Sequence, residues 1–202
     1  MSANGQVSER NKGARATPTD CRRRPLWAAG LPMNSSRGPV LNIDEAEEQS
    51  SVDGEYWGGT YRVLTPYMVA NGGALTMNVS RLPPQRVGCP FHFHMLDDEL
   101  FYVLSGSGVL RYGEEIFPIR PGDTISCPAG TKVAHQIVNT GREDLVYLGI
   151  GADSPNEVCG YPDSGKVMVR ALKTVGVLNK TEYMAGEPER PLILDLARGA
   201  EV

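Results

Sequence analysis

Residues 92–106 read His92-Phe93-His94-Met95-Leu96-Asp97-Asp98-Glu99-Leu100-Phe101-Tyr102-Val103-Leu104-Ser105-Gly106. Side chains on a strand point alternately to opposite faces, so His92 and His94 share a face. Met95-Leu96-Asp97-Asp98 carries the chain round, and a second strand opens with Glu99 facing back toward the pair. Phe101 and Val103 share the parity of Glu99 and belong inside. Tyr102 and Leu104 belong outside, and Phe91 and Phe93 face away from the histidines into packing or a dimer surface.

The same period extends in both directions. Strand-like runs fall at 74–82, 90–94, 99–105, 109–112, 116–119, 124–127, 134–139, 145–150 and 166–170. Turn chemistry separates them: Ser105-Gly106-Ser107-Gly108, Gly113, Pro121-Gly122-Asp123, Ala129-Gly130, Thr140-Gly141 and Tyr161-Pro162-Asp163-Ser164-Gly165. Gly and Pro make up about 19% of the 202 residues, against roughly 12% on average. Short strands at this spacing predict an all-β sandwich or barrel. A polar stretch with one apolar patch at 192–196 follows, read as a C-terminal extension, residues 176–202, packing on the barrel residues 41–175.

Residues 1–40 differ in kind. They include seven Lys/Arg, with Arg22-Arg23-Arg24 in a row, and only two acids. Apolar residues are sparse there, which predicts a disordered basic extension. Glu9, Asp20 and the lack of amphipathic period argue against a transit peptide. Met33 is an alternative natural start. The net charge of −4 offers no basic face for nucleic acid. No run approaches a membrane span and no apolar segment near the start marks a secretory signal. Cys21, Cys89, Cys127 and Cys159 form no paired motif and read as thiols of a reducing compartment. The expected location is the cytoplasm.

All three histidines of the chain, His92, His94 and His135, fall within the strand array. A single buried histidine is ordinarily a hydrogen-bonded core residue. Here the set is complete: His135 follows the turn Pro128-Ala129-Gly130, with Asn139 four residues on. Three imidazoles and the Glu99 carboxylate make an N3O set. It suits one divalent transition metal (Mn, Fe, Zn, Ni or Co) and leaves open positions.

The pattern resembles the two motifs of the cupin superfamily. The first appears as His92-x-His94-x4-Glu99-x6-Gly106, the second as Gly122-x5-Pro128-x-Gly130-x4-His135-x3-Asn139. Two departures stand out. Arg86 occupies the place of the first glycine, with Gly88 nearby. The gap from Gly130 to His135 is longer by two residues, which should lengthen a surface loop. The resemblance implies a double-stranded β-helix (a jelly-roll-like barrel), a metal held by His92, His94, Glu99 and His135, and pairing into a homodimer through strand edges.

Around the site, Asn139 should brace a turn and Ile137 share the inside with His135. Asp97 and Asp98 read as a solvated turn, with a hydrogen bond to a ligating imidazole as the sharper option. Arg81 could reach the pocket mouth or be a surface charge. Cys89 and Cys127 read as small buried hydrophobes rather than catalysts. The leading function is a metalloenzyme acting on a small polar organic molecule by isomerase, lyase or dioxygenase chemistry, with Glu99 also serving as a base. The alternative is a non-catalytic barrel that binds or senses a small ligand.

Overall fold

Alternation of apolar and polar residues produces thirteen short strands, because each strand can bury one face only. The computed structural model describes residues 38–199. The basic stretch at its start, the alternative start Met33 and Cys21 lie outside the described residues, apart from 38–40. The strands are β1 (Glu48–Asp53), β2 (Trp57–Val63), β3 (Leu75–Leu82), β4 (Phe93–His94) and β5 (Glu99–Ser105). Then come β6 (Gly108–Tyr112), β7 (Glu115–Ile119), β8 (Thr124–Cys127), β9 (His135–Val138) and β10 (Leu145–Ala152). β11 (Val158–Tyr161), β12 (Lys166–Val169) and β13 (Thr174–Val177) complete the set. Two short helices, α1 (Pro66–Ala70) and α2 (Ile193–Leu196), are peripheral.

The first sheet runs β1-β2-β3-β10-β5-β8. Opposite it lie two smaller sheets, β7-β6-β9 and β13-β12-β11-β4. A single antiparallel bridge between His92 and His135 joins them. The His92 N–H donates to the His135 carbonyl at 3.2 Å, and the His135 N–H to that of His92 at 2.8 Å. All pairing in the three sheets is antiparallel. The fold is therefore the β-barrel that the sequence predicts.

Leu82, Val103, Leu110, Ile125, Ile137 and Leu145 fill the space between the layers. Val103 is buried and Phe101 packs on this core, while Tyr102 and Leu104 are exposed, as their parity requires. Phe91 is buried beneath the Arg111 guanidinium, 3.5 Å above its ring. Gly106 is indispensable at its turn: its φ is +78°, and a Cβ there would stand 2.4 Å from the Asp144 carbonyl oxygen.

Four strands escape the sequence reading: β1, most of β2, β11 and β13. Their residues are polar, glycine-rich or few, so the period is too short to register. The extension expected at 176–202 begins on β13. Residues 171–198 are exposed throughout, so this stretch buries no face of its own on the barrel.

Asn139 braces the turn after β9. Its Nδ2 donates to the carbonyls of Leu82 at 2.7 Å and Glu143 at 2.8 Å, and its Oδ1 accepts from the Gly141 N–H at 2.8 Å. It is fully buried. Replacing it leaves three backbone groups without partners, and each buried orphan costs about 1–3 kcal/mol. Asn139→Ala should therefore lower the unfolding free energy by about 3 kcal/mol, read as a reduced urea midpoint with unchanged slope.

Candidate metal centre

The bridge between His92 and His135 sets them directly opposite on neighbouring strands. Residues in such a pair project to the same face, and His94, two positions on, shares it. These three imidazoles come from the second layer. Glu99 opens β5 in the first sheet and faces them across the gap. All four expected residues are thus brought together.

Their ligand atoms converge on Glu99 Oε2. The Nε2 atoms of His135, His94 and His92 lie 2.8, 3.2 and 3.9 Å from it. Donors bound at about 2.1 Å to one ion stand about 3.0–3.4 Å apart; the His94 distance falls in that range, that of His135 lies below it and that of His92 above it, and the ligand atoms of His92, Glu99 and His135 all lie within 4.8 Å of one another. Glu99 Oε2, His94 Nε2 and His135 Nε2 are buried with no partner beyond one another. Buried polar atoms are ordinarily satisfied. A divalent cation would satisfy all of them at once.

The other ring nitrogens of His92 and His94 are already engaged, whereas His135 Nδ1 is buried without a partner. His92 Nδ1 lies 2.8 Å from the Pro90 carbonyl oxygen. Since a carbonyl only accepts, Nδ1 carries the proton and Nε2 keeps its lone pair. His94 Nδ1 lies 3.2 Å from Cys159 Sγ and 3.6 Å from Glu157 Oε1. Such partners on the far nitrogen orient a ligating imidazole. Register explains the thiol: Cys159 on β11 pairs directly with His94 on β4.

Glu157 is the hidden organiser. It is fully buried. Its carboxylate accepts from the N–H groups of Met95 at 2.8 Å, Leu96 at 2.9 Å and Asp97 at 2.6 Å. Those residues form the crossing between His94 and Glu99. Asp97 departs from its sequence reading: it is buried, not solvated. Its carboxylate meets Arg170 Nη1 at 2.8 Å and accepts from the Ser154 N–H at 2.9 Å. Asp98 is exposed but caps the facing turn, accepting from the Ala129 N–H at 2.8 Å. Arg81 turns to the surface and pairs with Asp144 at 3.1 Å. Residues 131–133 are exposed, so the longer gap before His135 does end in a surface loop.

Sequence reasoning missed Glu157, Cys159 and Arg170. The available signal was the pattern Val158-Cys159-Gly160-Tyr161 before the Pro162-Asp163-Ser164-Gly165 turn, which marks a hairpin and gives Cys159 an inward parity.

The electrostatics call for positive charge at the centre. Burial pushes the Glu99 carboxyl up, but hydrogen bonds from His135 and His94 and their charge outweigh it. The group is held well below the usual carboxylate range. Burial pulls His94 down, yet its hydrogen bonds to Cys159 and Glu99 and the Glu99 charge win, raising it to about 9. Burial dominates at His135 and lowers it. Burial and the Glu99 charge lift Cys89 and Cys127 to about 12, so both stay protonated and are poor nucleophiles.

Glutamine in place of Glu157 would aim an N–H2 at backbone N–H donors. Glu157→Gln should cost about 3 kcal/mol of stability, since hydrogen bonds to a charged acceptor contribute about 1.5–3 kcal/mol each. Chemical denaturation of the purified variant measures this.

The comparisons agree with this geometry. Residues 78–151 match the family model of the cupin domain. A solved structure of a candidate sugar phosphate isomerase from Acidithiobacillus ferrooxidans is 25% identical with a TM-score of 0.60; the match covers 73% of this chain and 99% of that one. A sugar phosphate isomerase of the cupin superfamily from Silicibacter pomeroyi is 29% identical with a TM-score of 0.56, covering 64% and 85%. Over 71 residues the chain is 37% identical to an oxalate-binding protein of Thermotoga maritima, covering 35% of this chain and 55% of that one. The chain spans about half the length of the first curated relatives it matches. Among the described residues no helix is long and apolar enough to cross a membrane. With the barrel, both motifs and the family match in agreement, residues 78–151 form a cupin domain.

Proposed function

We propose that this protein is a metal-dependent enzyme acting on a small polar organic molecule. The observation that carries the reading is the convergence of three imidazole nitrogens on the Glu99 carboxylate, with the His92 imidazole already held in the ligating tautomer. His92, His94, His135 and Glu99 would hold one divalent transition ion. That ion would supply Lewis-acid chemistry, polarising an oxygen of the substrate. The chain's own residues do the rest. Glu157 and Cys159 hold His94, and the apolar core behind Phe101 keeps water from one side.

Glu99 is the most exposed of the four, its side chain 25% accessible against 11% or less for the imidazoles. Substrate therefore has its approach on the carboxylate side. A carboxylate there can take a proton from a bound hydroxyl or an activated carbon. Isomerase and lyase chemistry both need such a base beside a polarised oxygen, and the two sugar phosphate isomerases among the similar structures support this class. Dioxygenase chemistry remains within the same ligand set if the ion is iron. The oxalate-binding relative favours a second reading, a barrel that holds a small ligand without turnover.

Protein purified without tag or chelator should contain about one equivalent of transition metal, the occupancy of one closed ligand set. His94→Ala and Glu99→Ala should lose it, as read by elemental analysis. Full occupancy in both variants would overturn the site. Metal binding should also weaken as pH falls. His94 raised to about 9 is protonated below that pH, and a protonated nitrogen cannot ligate. The apparent dissociation constant should rise roughly tenfold per pH unit between about pH 8 and pH 6, one proton being displaced per ion. Competition titration with a chromophoric chelator measures the slope, and a flat profile contradicts the assignment.

A further inference from the structure

The barrel opens along the seam between β7 and β8. β7 is the edge of the sheet β7-β6-β9, β8 is the edge of the first sheet, and the turn at 120–123 leads from one to the other. That turn is pinned. The Asp123 N–H donates to the Arg120 carbonyl at 3.1 Å, and the Gly122 N–H to that of Val103 at 2.9 Å. Register places Phe117 opposite Leu110, and Leu110 opposite Ile137. Directly opposed residues share a face, so Phe117 lies on the inner face with two core residues. Ile119, beside the turn, is 5% exposed, yet Phe117, two residues farther from it, is 41% exposed. The layers therefore part with distance from the turn.

They part toward the candidate metal centre. Tyr112 on β6 lies directly opposite His135. On β8, Ile125 lies opposite Phe101 and Cys127 opposite Glu99. The Phe101 ring is 5.8 Å from that of His135. An open cavity of about 520 Å3 occupies the seam, within the range of about 300–1,000 Å3 usual for small-molecule pockets. Leu110 and Ile125 line it beside the Phe117 and Tyr112 rings, and Ser126 gives it a polar rim.

Tyr112 is half-buried, and its hydroxyl has no hydrogen-bond partner among the described residues. Burial raises the phenol, with Cys127 adding to the effect, so the hydroxyl stays protonated and can donate. A ligand seated here meets an apolar floor, two aromatic rings and one uncommitted donor. A ring suits the first two and an oxygen the third. The base chemistry of Glu99 needs a carbonyl oxygen at the centre, and the phenol accommodates a second oxygen.

We infer that this seam is the substrate cavity of the metal centre, that Tyr112 is a substrate-binding residue, and that the substrate is a ring-bearing hydroxy-carbonyl compound. The ring lies against Phe117 and Ile125. One oxygen accepts from the Tyr112 hydroxyl while another faces Glu99 and the imidazoles. This rests on the metal-dependent reading and names the substrate class of the same site.

The test uses the full chain loaded with Mn2+ and two probes, α-hydroxyacetophenone and hydroxyacetone, which share the hydroxy-ketone and differ by the ring. Paramagnetic broadening of probe protons reports binding beside the ion. Saturation-transfer NMR on the metal-free protein reports binding without it. The ring-bearing probe should bind about tenfold more tightly, the gain from burying part of one phenyl ring. Phe117→Ala should remove most of that difference and leave hydroxyacetone unchanged. Tyr112→Phe should retain Mn2+ and bind both probes about fivefold more weakly, the loss expected for one hydrogen bond. Ile116→Ala, on the outer face of the same strand as Phe117, should change nothing. Equal affinity for the two probes, no binding of α-hydroxyacetophenone, or wild-type affinity in Tyr112→Phe overturns the inference while leaving the metal centre intact. Wild-type protein that holds no Mn2+ overturns the metal reading instead, and saturation transfer to the phenyl protons that Phe117→Ala abolishes would still support the cavity.

Discussion

Between His94 and Glu99 the chain must leave one layer of the barrel and enter the other within four residues. A backbone N–H left without a strand partner in such a crossing costs free energy when it turns toward the protein interior. The Glu157 carboxylate removes that cost by accepting three consecutive N–H groups, from Met95, Leu96 and Asp97. Asp97 then takes Arg170 and the Ser154 N–H, and Asp98 caps the turn at Ala129. The crossing is thereby fixed from both sides. Because it is fixed, the imidazoles of one layer and the carboxylate of the other meet at one point.

The same carboxylate ties packing to chemistry. Glu157 Oε1 lies 3.6 Å from His94 Nδ1, beside the Cys159 sulfur. Three acidic groups, Asp97, Glu99 and Glu157, therefore sit in a small volume, each compensated differently. Asp97 has a guanidinium, Glu157 has backbone dipoles, and Glu99 has only imidazoles. Glu99 alone faces only imidazoles, and its low proton affinity follows from that arrangement. The three carboxylates are distinguished here by partner, not by residue type.

The first sheet contributes by omission. Elsewhere its inner face is filled by Leu82, Val103 and Leu145, but β10 places Gly149 and Gly151 next to the site. Glycine in a strand interior weakens the sheet and marks a place where something else approaches closely. The barrel tolerates this because β10 is held on both flanks, by β3 and by β5.

The sequence by itself determined the strands from 74 to 150, the inward parity of Phe101, Val103 and Ile137, and the set His92, His94, Glu99 and His135. These follow from local alternation and from there being only three histidines to place. The turn-bracing role of Asn139 was legible for the same reason. The tertiary structure alone decided that Asp97 is buried, that Arg81 pairs at the surface, and that Glu157 and Cys159 stand behind His94. It alone set Gly151 between Thr76 and Glu99. Alternation fixes which way a side chain points, but its neighbour depends on the register between strands far apart in the chain. Glu157 and Arg170 meet the crossing from about 60 and 73 residues away, and no local pattern encodes that distance.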